Sequence, residues 1–161
     1  MTKIETEQLL DYSDVLIRPK RSTMKSRNDV DIEREFSFKW SSERWKGVPL
    51  IAANMDTTGT FEVYQVLSKH NIVTALHKFY TPDDFKFQKI LNPNLYMIST
   101  GISDTDYIRL KSILEVVSCK WICIDIANGY LSSLVEFCKK VRSNYPDKII
   151  VAGNVATREM V

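Results

Sequence analysis

A chain of 161 residues, 44% of them apolar, has the size and core material for one ordinary domain. Its 22 basic and 20 acidic residues leave a net charge of +2, which argues against a bulk nucleic-acid binder. The opening MTKIETEQLL has no apolar signal core and no run is long enough to cross a bilayer, so a cytoplasmic enzyme or binding protein with no membrane partner fits best.

Residues 9–39 lack sustained helical periodicity. The apolar group Val15, Leu16, Ile17 is followed by the basic cluster Arg18, Lys20, Arg21, Lys25, Arg27, and then by alternation through Val30, Ile32, Phe36 and Phe38. This pattern predicts a strand-loop-strand arm lying across the mouth or bottom of the main fold, with residues 1–45 as the arm and 46–161 as regular β/α units. The segment VPLIAANMDTTGTFE (48–62) sets the rule for those units. An apolar run, predicted as a strand over 50–54 and buried on both faces, breaks at Asn54, Met55 and Asp56 into a polar turn where a helical pattern begins.

That helix is predicted over 60–70 with Phe61, Val63, Tyr64 and Leu67 as its apolar stripe. A strand over 72–77 precedes a helix over 82–90, with Thr81 as N-cap and Pro82 in the first turn. A strand over 95–99 leads to a helix over 104–117 carrying Ile108, Leu110, Ile113 and Leu114. A strand over 121–126 leads to a helix over 131–144 with Leu134, Val135, Phe137, Cys138 and Val141 inward, ended by Pro146. A fifth strand covers 149–152, and Thr157 reads as the N-cap of a further helix. Cys119, Cys123 and Cys138 are an odd number without metal-type spacing and read as buried, reduced thiols, with no metal site in the segment.

Strands separated by crossovers long enough for right-handed βαβ units make a parallel sheet. A doubly wound sheet would carry a glycine-rich phosphate loop after its first strand, whereas NMDTTGT holds one glycine, so an α/β barrel is the preferred reading. A complete (β/α)8 barrel takes about 200 or more residues. Five units would leave two open edges, so the pattern calls for chain beyond Val161 or for a partner that supplies it.

Strands ending in polar residues form the active rim of such a barrel. Lys78, directly after His77 at a strand end, can hold an anion or stabilise developing negative charge, or can simply be a rim lysine. Asp125, between Ile124 and Ile126, is a carboxylate that is costly to bury unpaired, which favours a functional role. Asn154 after Gly153 offers a donor and an acceptor to a sugar or base, or else satisfies a strand end.

The phrases LDYSDVLIRPKRSTMKSR, IAANMDTTGTFE, ALHKFYTPDDF, ICIDIANGY and VAGNVATREMV occur in order across nearly the whole chain. Together they resemble the first half of the IMP dehydrogenase/GMP reductase family, and the basic arm resembles its reductase branch. The resemblance implies a (β/α)8 barrel and NADPH-dependent reductive deamination of GMP to IMP and ammonia, in which a cysteine attacks purine C2 and hydride from the nicotinamide resolves the covalent intermediate. It implies that Ser26 and Arg27 contact the cofactor of a neighbouring subunit, that Lys78, Asp125, Ile126 and Ala127 line the nicotinamide side with Lys78 and Asp125 catalytic, and that Met55 and Asn154 lie near the nucleotide. It also implies a homotetramer and a monovalent cation, K+, held by the glycine-rich loop that bears the catalytic cysteine. That loop would follow a sixth strand, and Cys119, Cys123 and Cys138 stand in the wrong places to replace it, so the segment alone is expected to be inactive. The alternatives are an IMP dehydrogenase-like enzyme working oxidatively with NAD, and a non-catalytic nucleotide-binding partial barrel.

Overall fold

The computed structural model of the chain describes residues 8, 10–88 and 91–160. The chain divides into two compact units, Met1–Asp31 and Ile32–Val161. Within the first, Tyr12–Asp14 and Arg27–Asp29 each form one short 3-10 turn closed by a capping box, Asp11 with Asp14 and Ser26 with Asp29. The strand expected around Val15, Leu16 and Ile17 does not form. An apolar run of three, followed at once by Arg18 and by Pro19, is short, and the proline has no N–H for a ladder.

The second unit opens with a hairpin. β1 (Arg34–Ser37) pairs antiparallel with β2 (Arg44–Gly47), placing Phe36 opposite Trp45. Trp45 packs edge-on against Trp121 at 5.8 Å, and Phe38 does the same at 5.3 Å. Trp121 begins its strand, so the hairpin closes the N-terminal end of the sheet, the end that carries stability in barrels.

The remaining strands are β3 (Ile51–Ala52), β4 (Val73–Leu76), β5 (Tyr96–Thr100), β6 (Trp121–Asp125) and β7 (Ile149–Gly153), alternating with α1 (Phe61–Leu67), α2 (Pro82–Lys86), α3 (Asp104–Val116) and α4 (Ser132–Asn144). All five strands are parallel, and from β4 onward each pairs with the one before it in the chain. A sequential order without reversal has no topological switch point, which excludes a doubly wound sheet and describes consecutive units of a (β/α)8 barrel. Side chains alternate across the strands. Tyr96 meets Tyr64 of α1 and Phe85 of α2, so its face looks toward the helices, while Val73, Trp121 and Val151 share a hollow on the opposite, inner face. The core joins Phe61, Tyr64, Phe85, Leu110, Ile113, Leu134, Phe137 and Val141 of the helices to Leu76, Tyr96, Ile98, Ile122 and Ile124 of the strands.

Several elements depart from expectation. β3 has two residues, and Leu50 and Ile51 are more than half exposed rather than buried on both faces, because β3 pairs only with β4 among the described residues. β4 and β5 are buried along their whole length. α2 ends at Lys86, and residues 89–90 of the predicted helix lie outside the described residues. Ile108 and Val135 are exposed: at about 100° per residue Ile108 lies well off the face set by Leu110 and Ile113, and Val135 is one step off Leu134. Thr157 precedes a single 3-10 turn, Arg158–Met160. No helix among the described residues is long and apolar enough to cross a membrane.

Candidate functional site at the strand C-termini

Four consecutive strand ends converge on one open hollow of about 570 Å³. Lys78 comes from the turn after β4, Gly101, Ile102 and Ser103 from the turn after β5, Asp106 from the first turn of α3, Asp125, Ile126 and Ala127 from the end of β6, and Asn154 from the residue after β7. Polar groups therefore come from separate elements to one cavity whose remaining walls are aliphatic.

Asp125 closes β6 rather than sitting inside it, opposite Gly153 of β7. Its carboxylate is half-buried, and Oδ2 accepts a hydrogen bond of 2.9 Å from Asn54 Nδ2. Asn54 follows β3, which β4 and β5 separate from β6 in the sheet, so this bond spans the inner side of the rim. By alternation Cys123 shares the inner face one step below, paired in register with Ser99. Burial pushes the Cys123 thiol up, with the Asp125 charge adding to it and Ser99 opposing.

Asp106 is built in by its helix. Ser103 caps α3, its hydroxyl accepting from Asp106 N at 3.1 Å and donating to Asp106 Oδ2 at 2.7 Å. Burial works to raise the Asp106 carboxyl. The Ser103 hydroxyl and N–H, Arg109 at 3.3 Å and the Lys78 charge outweigh it, and the group is held below the usual carboxylate range.

The far wall is two loops joined together. Asn154 N donates to Ile126 O at 2.8 Å and Gly129 N donates to Asn154 O at 2.8 Å. A Cβ at Gly129 would run into that Asn154 carbonyl, so the close approach needs glycine. Tyr130 Oη accepts from Ala156 N at 2.9 Å and Thr157 N at 2.6 Å and donates to Thr157 Oγ1 at 3.0 Å, pinning the segment after β7.

Of the residues singled out in the sequence, the structure brings Lys78, Asp125, Ile126, Ala127 and Asn154 together. Met55 does not line the hollow: it is exposed, and its carbonyl accepts from Thr58 and Gly59 in the turn after β3. Ser26 and Arg27 lie in the N-terminal unit, where the Ser26 hydroxyl accepts from Asn28 N at 3.2 Å. Asn54, Ser103 and Asp106 were missed. Ser103 and Asp106 stand at capping-box spacing before a helical run, a signal readable in advance; Asn54 and Asp125 are 71 residues apart, and no local pattern pairs them.

Residues 9–161 match the profile of the IMP dehydrogenase / GMP reductase domain. The chain is 52% identical over 164 residues to the GMP reductase of Buchnera aphidicola from Schizaphis graminum, covering 99% of the chain and 47% of that protein. It is 49% identical to the GMP reductase of Caenorhabditis elegans and 47% identical to GMP reductase 1 of Homo sapiens, in each case over 100% of the chain and 46% and 48% of the relative. The chain thus spans about half the length of the curated relatives it matches. An inosine 5′-monophosphate dehydrogenase structure from Legionella pneumophila superposes with a TM-score of 0.75 over 93% of this chain and 45% of that one, at 24% identity, a likeness of fold.

Proposed function

This chain belongs to the IMP dehydrogenase / GMP reductase family, and on that premise we propose that it forms the nicotinamide side of a GMP reductase, which converts GMP to IMP and ammonia with NADPH in purine nucleotide interconversion. The observation that carries the reading is the convergence of Lys78, Asp125, Ile126, Ala127 and Asn154 on one hollow at the C-terminal strand ends, where barrel enzymes hold their chemistry.

The hollow fits a nicotinamide. It is large enough for the ring, Ile102, Ile126 and Ala127 offer aliphatic surface, and Asp125 and Asn154 offer an acceptor and an amide to a carboxamide. When bound, the cofactor supplies a hydride. Lys78 brings positive charge to the open mouth, where it stabilises anionic groups and electron-rich reacting atoms. Asp125 lines the hollow while its carboxylate accepts a hydrogen bond from Asn54, and the loop pair joined through Gly129, Tyr130 and Asn154 keeps that wall in register.

Displacement of ammonia from purine C2 through a covalent intermediate needs a thiolate. The three cysteines here do not fit that part: burial pushes Cys119 up to about 12 and raises Cys123 and Cys138, and all three lie within strand, helix or buried loop packing. This supports the reading that the 161-residue segment alone is inactive. Cofactor contacts by Ser26 and Arg27 from a neighbouring subunit, nucleotide contact by Met55, a K+ ion, a homotetramer and a cytoplasmic setting belong to the same proposal.

The test is to incubate the protein, at the length its gene encodes, with GMP and NADPH while following reduced-cofactor absorbance and ammonia. GMP-dependent oxidation with one ammonia released per cofactor is expected. Absence of GMP-dependent oxidation overturns the reading.

A further inference from the structure

We propose that Asn54 is the positioning residue for Asp125, fixing one carboxylate oxygen so that the other is presented to the cofactor's carboxamide. The proposal rests on the reading of the hollow as a nicotinamide site.

Asp125 ends a strand, and a carboxylate at a strand end on an open rim has free rotation unless something holds it. Asn54 Nδ2 holds Oδ2 at 2.9 Å, within the distance range of hydrogen bonds to a carboxylate. The donor arrives from outside the neighbouring elements. β6 is flanked in the sheet by β5 and β7, whereas Asn54 belongs to the turn after β3 and reaches across the inner side of the barrel. That turn is itself fixed: Thr58 N and Gly59 N both donate to Met55 O, and His77 N donates to Gly59 O, tying it to the end of β4. A Cβ on Gly59 would meet the Ala75 and Ala53 carbonyls, so the turn sits hard against the sheet. Asn54 thus works from a turn braced against the sheet, as a side chain that sets another's geometry must.

Its amide is also the neutral choice among possible donors. The charged or titratable groups around Asp125 are Lys78 from the turn after β4, Asp106 from α3 and Cys123 from β6 itself. A lysine in place of Asn54 would neutralise the carboxylate, and an aspartate would face it with like charge. An asparagine orients the carboxylate while leaving its charge in place.

Asn54→Ala, Asn54→Asp, Asp125→Ala and the double alanine variant, made in the protein at the length its gene encodes, separate positioning from scaffolding. NADPH dissociation constants are read by cofactor fluorescence between pH 5.5 and 8.5, with thermal unfolding alongside. Asn54→Ala should weaken NADPH binding about 10-fold at every pH with a small change in unfolding midpoint, and the Asn54 and Asp125 effects should be non-additive by about 5-fold or more. Asn54→Asp should bind near normally at the acid end, where two facing carboxylates share a proton and restore the bond, and should weaken progressively as pH rises. A merely structural Asn54 would not produce that slope. Additive effects, or an Asn54→Asp variant whose affinity relative to the unaltered protein is flat across pH, overturn the inference while leaving the cofactor site standing. Failure of the unaltered protein to bind NADPH overturns the site reading and the inference together.

Discussion

Lys78 stands exposed on the turn after β4, its ammonium 5.9 Å over the Phe79 ring, with its charge acting on Asp106. Such a side chain packs few apolar atoms, so Lys78→Ala should cost no more than about 0.5 kcal/mol of stability. Loss of a positioned charge at a reacting centre typically costs about 10²-fold in rate. Steady-state turnover and thermal unfolding of the same variant separate the two readings: near-normal turnover, or activity lost only in step with folded protein, would make Lys78 a rim residue. Lys78, Asp125 and Asn154 were legible in the sequence because a charged or amide residue interrupts an apolar run, which local pattern exposes. Asn54 was not, since its partner is set by the curvature of the sheet and no spacing along the chain encodes that curvature. The end of the strand lies one residue earlier than the apolar Ile126 suggests: the register stops at the Asp125–Gly153 pair, and Ile126 N–H gives the ladder's last bond to Gly153 O.

The helices show the same division between what is local and what is not. Thr81, Pro82 and Asp84 form a capping box with proline at the first turn, and Ser103 with Asp106 repeats it at α3; both starts follow from side-chain chemistry within four residues. Val135, expected inward, is exposed because spacing alone admits two stripes, and the neighbours in space decide which is buried. The Ser103 cap is testable on its own. Ser103→Ala removes two hydrogen bonds to Asp106 and should destabilise the protein by about 1 kcal/mol at neutral pH. The Asp106 carboxyl is held low in the fold, so its contribution is fully present above the ordinary carboxylate value of about 3.9 and is lost as pH falls through its lower folded value. The variant lacks part of that contribution, and the gap between it and the unaltered protein should narrow below about pH 4 in urea unfolding. A gap constant from pH 7 to pH 3 would mean that the hydroxyl acts on the backbone alone and does not set the acid's ionisation.

At the scale of the molecule the parallel sheet is an arc with two edges: among the described residues β3 pairs only with β4, and β7 only with β6. The inner face is apolar near its base, where Phe36, Phe38, Trp45, Leu50, Ile51, Val73, Trp121 and Val151 line a hollow of about 230 Å³, and Leu50 and Ile51 are more than half exposed. Unpaired parallel edges beside exposed aliphatic side chains recruit further strands. The 161-residue segment produced by itself should therefore self-associate at micromolar concentration and melt over a broad range, whereas co-production with the C-terminal half of a GMP reductase relative should return a discrete species. Sedimentation velocity with and without the complementing half is the measurement. The direction of the change matters more than its size. If the segment alone sediments as one sharp monomer with a cooperative thermal transition, the inner face is covered by the chain's own residues, and the arc is a self-contained α/β domain rather than part of a barrel that must be closed by further strands.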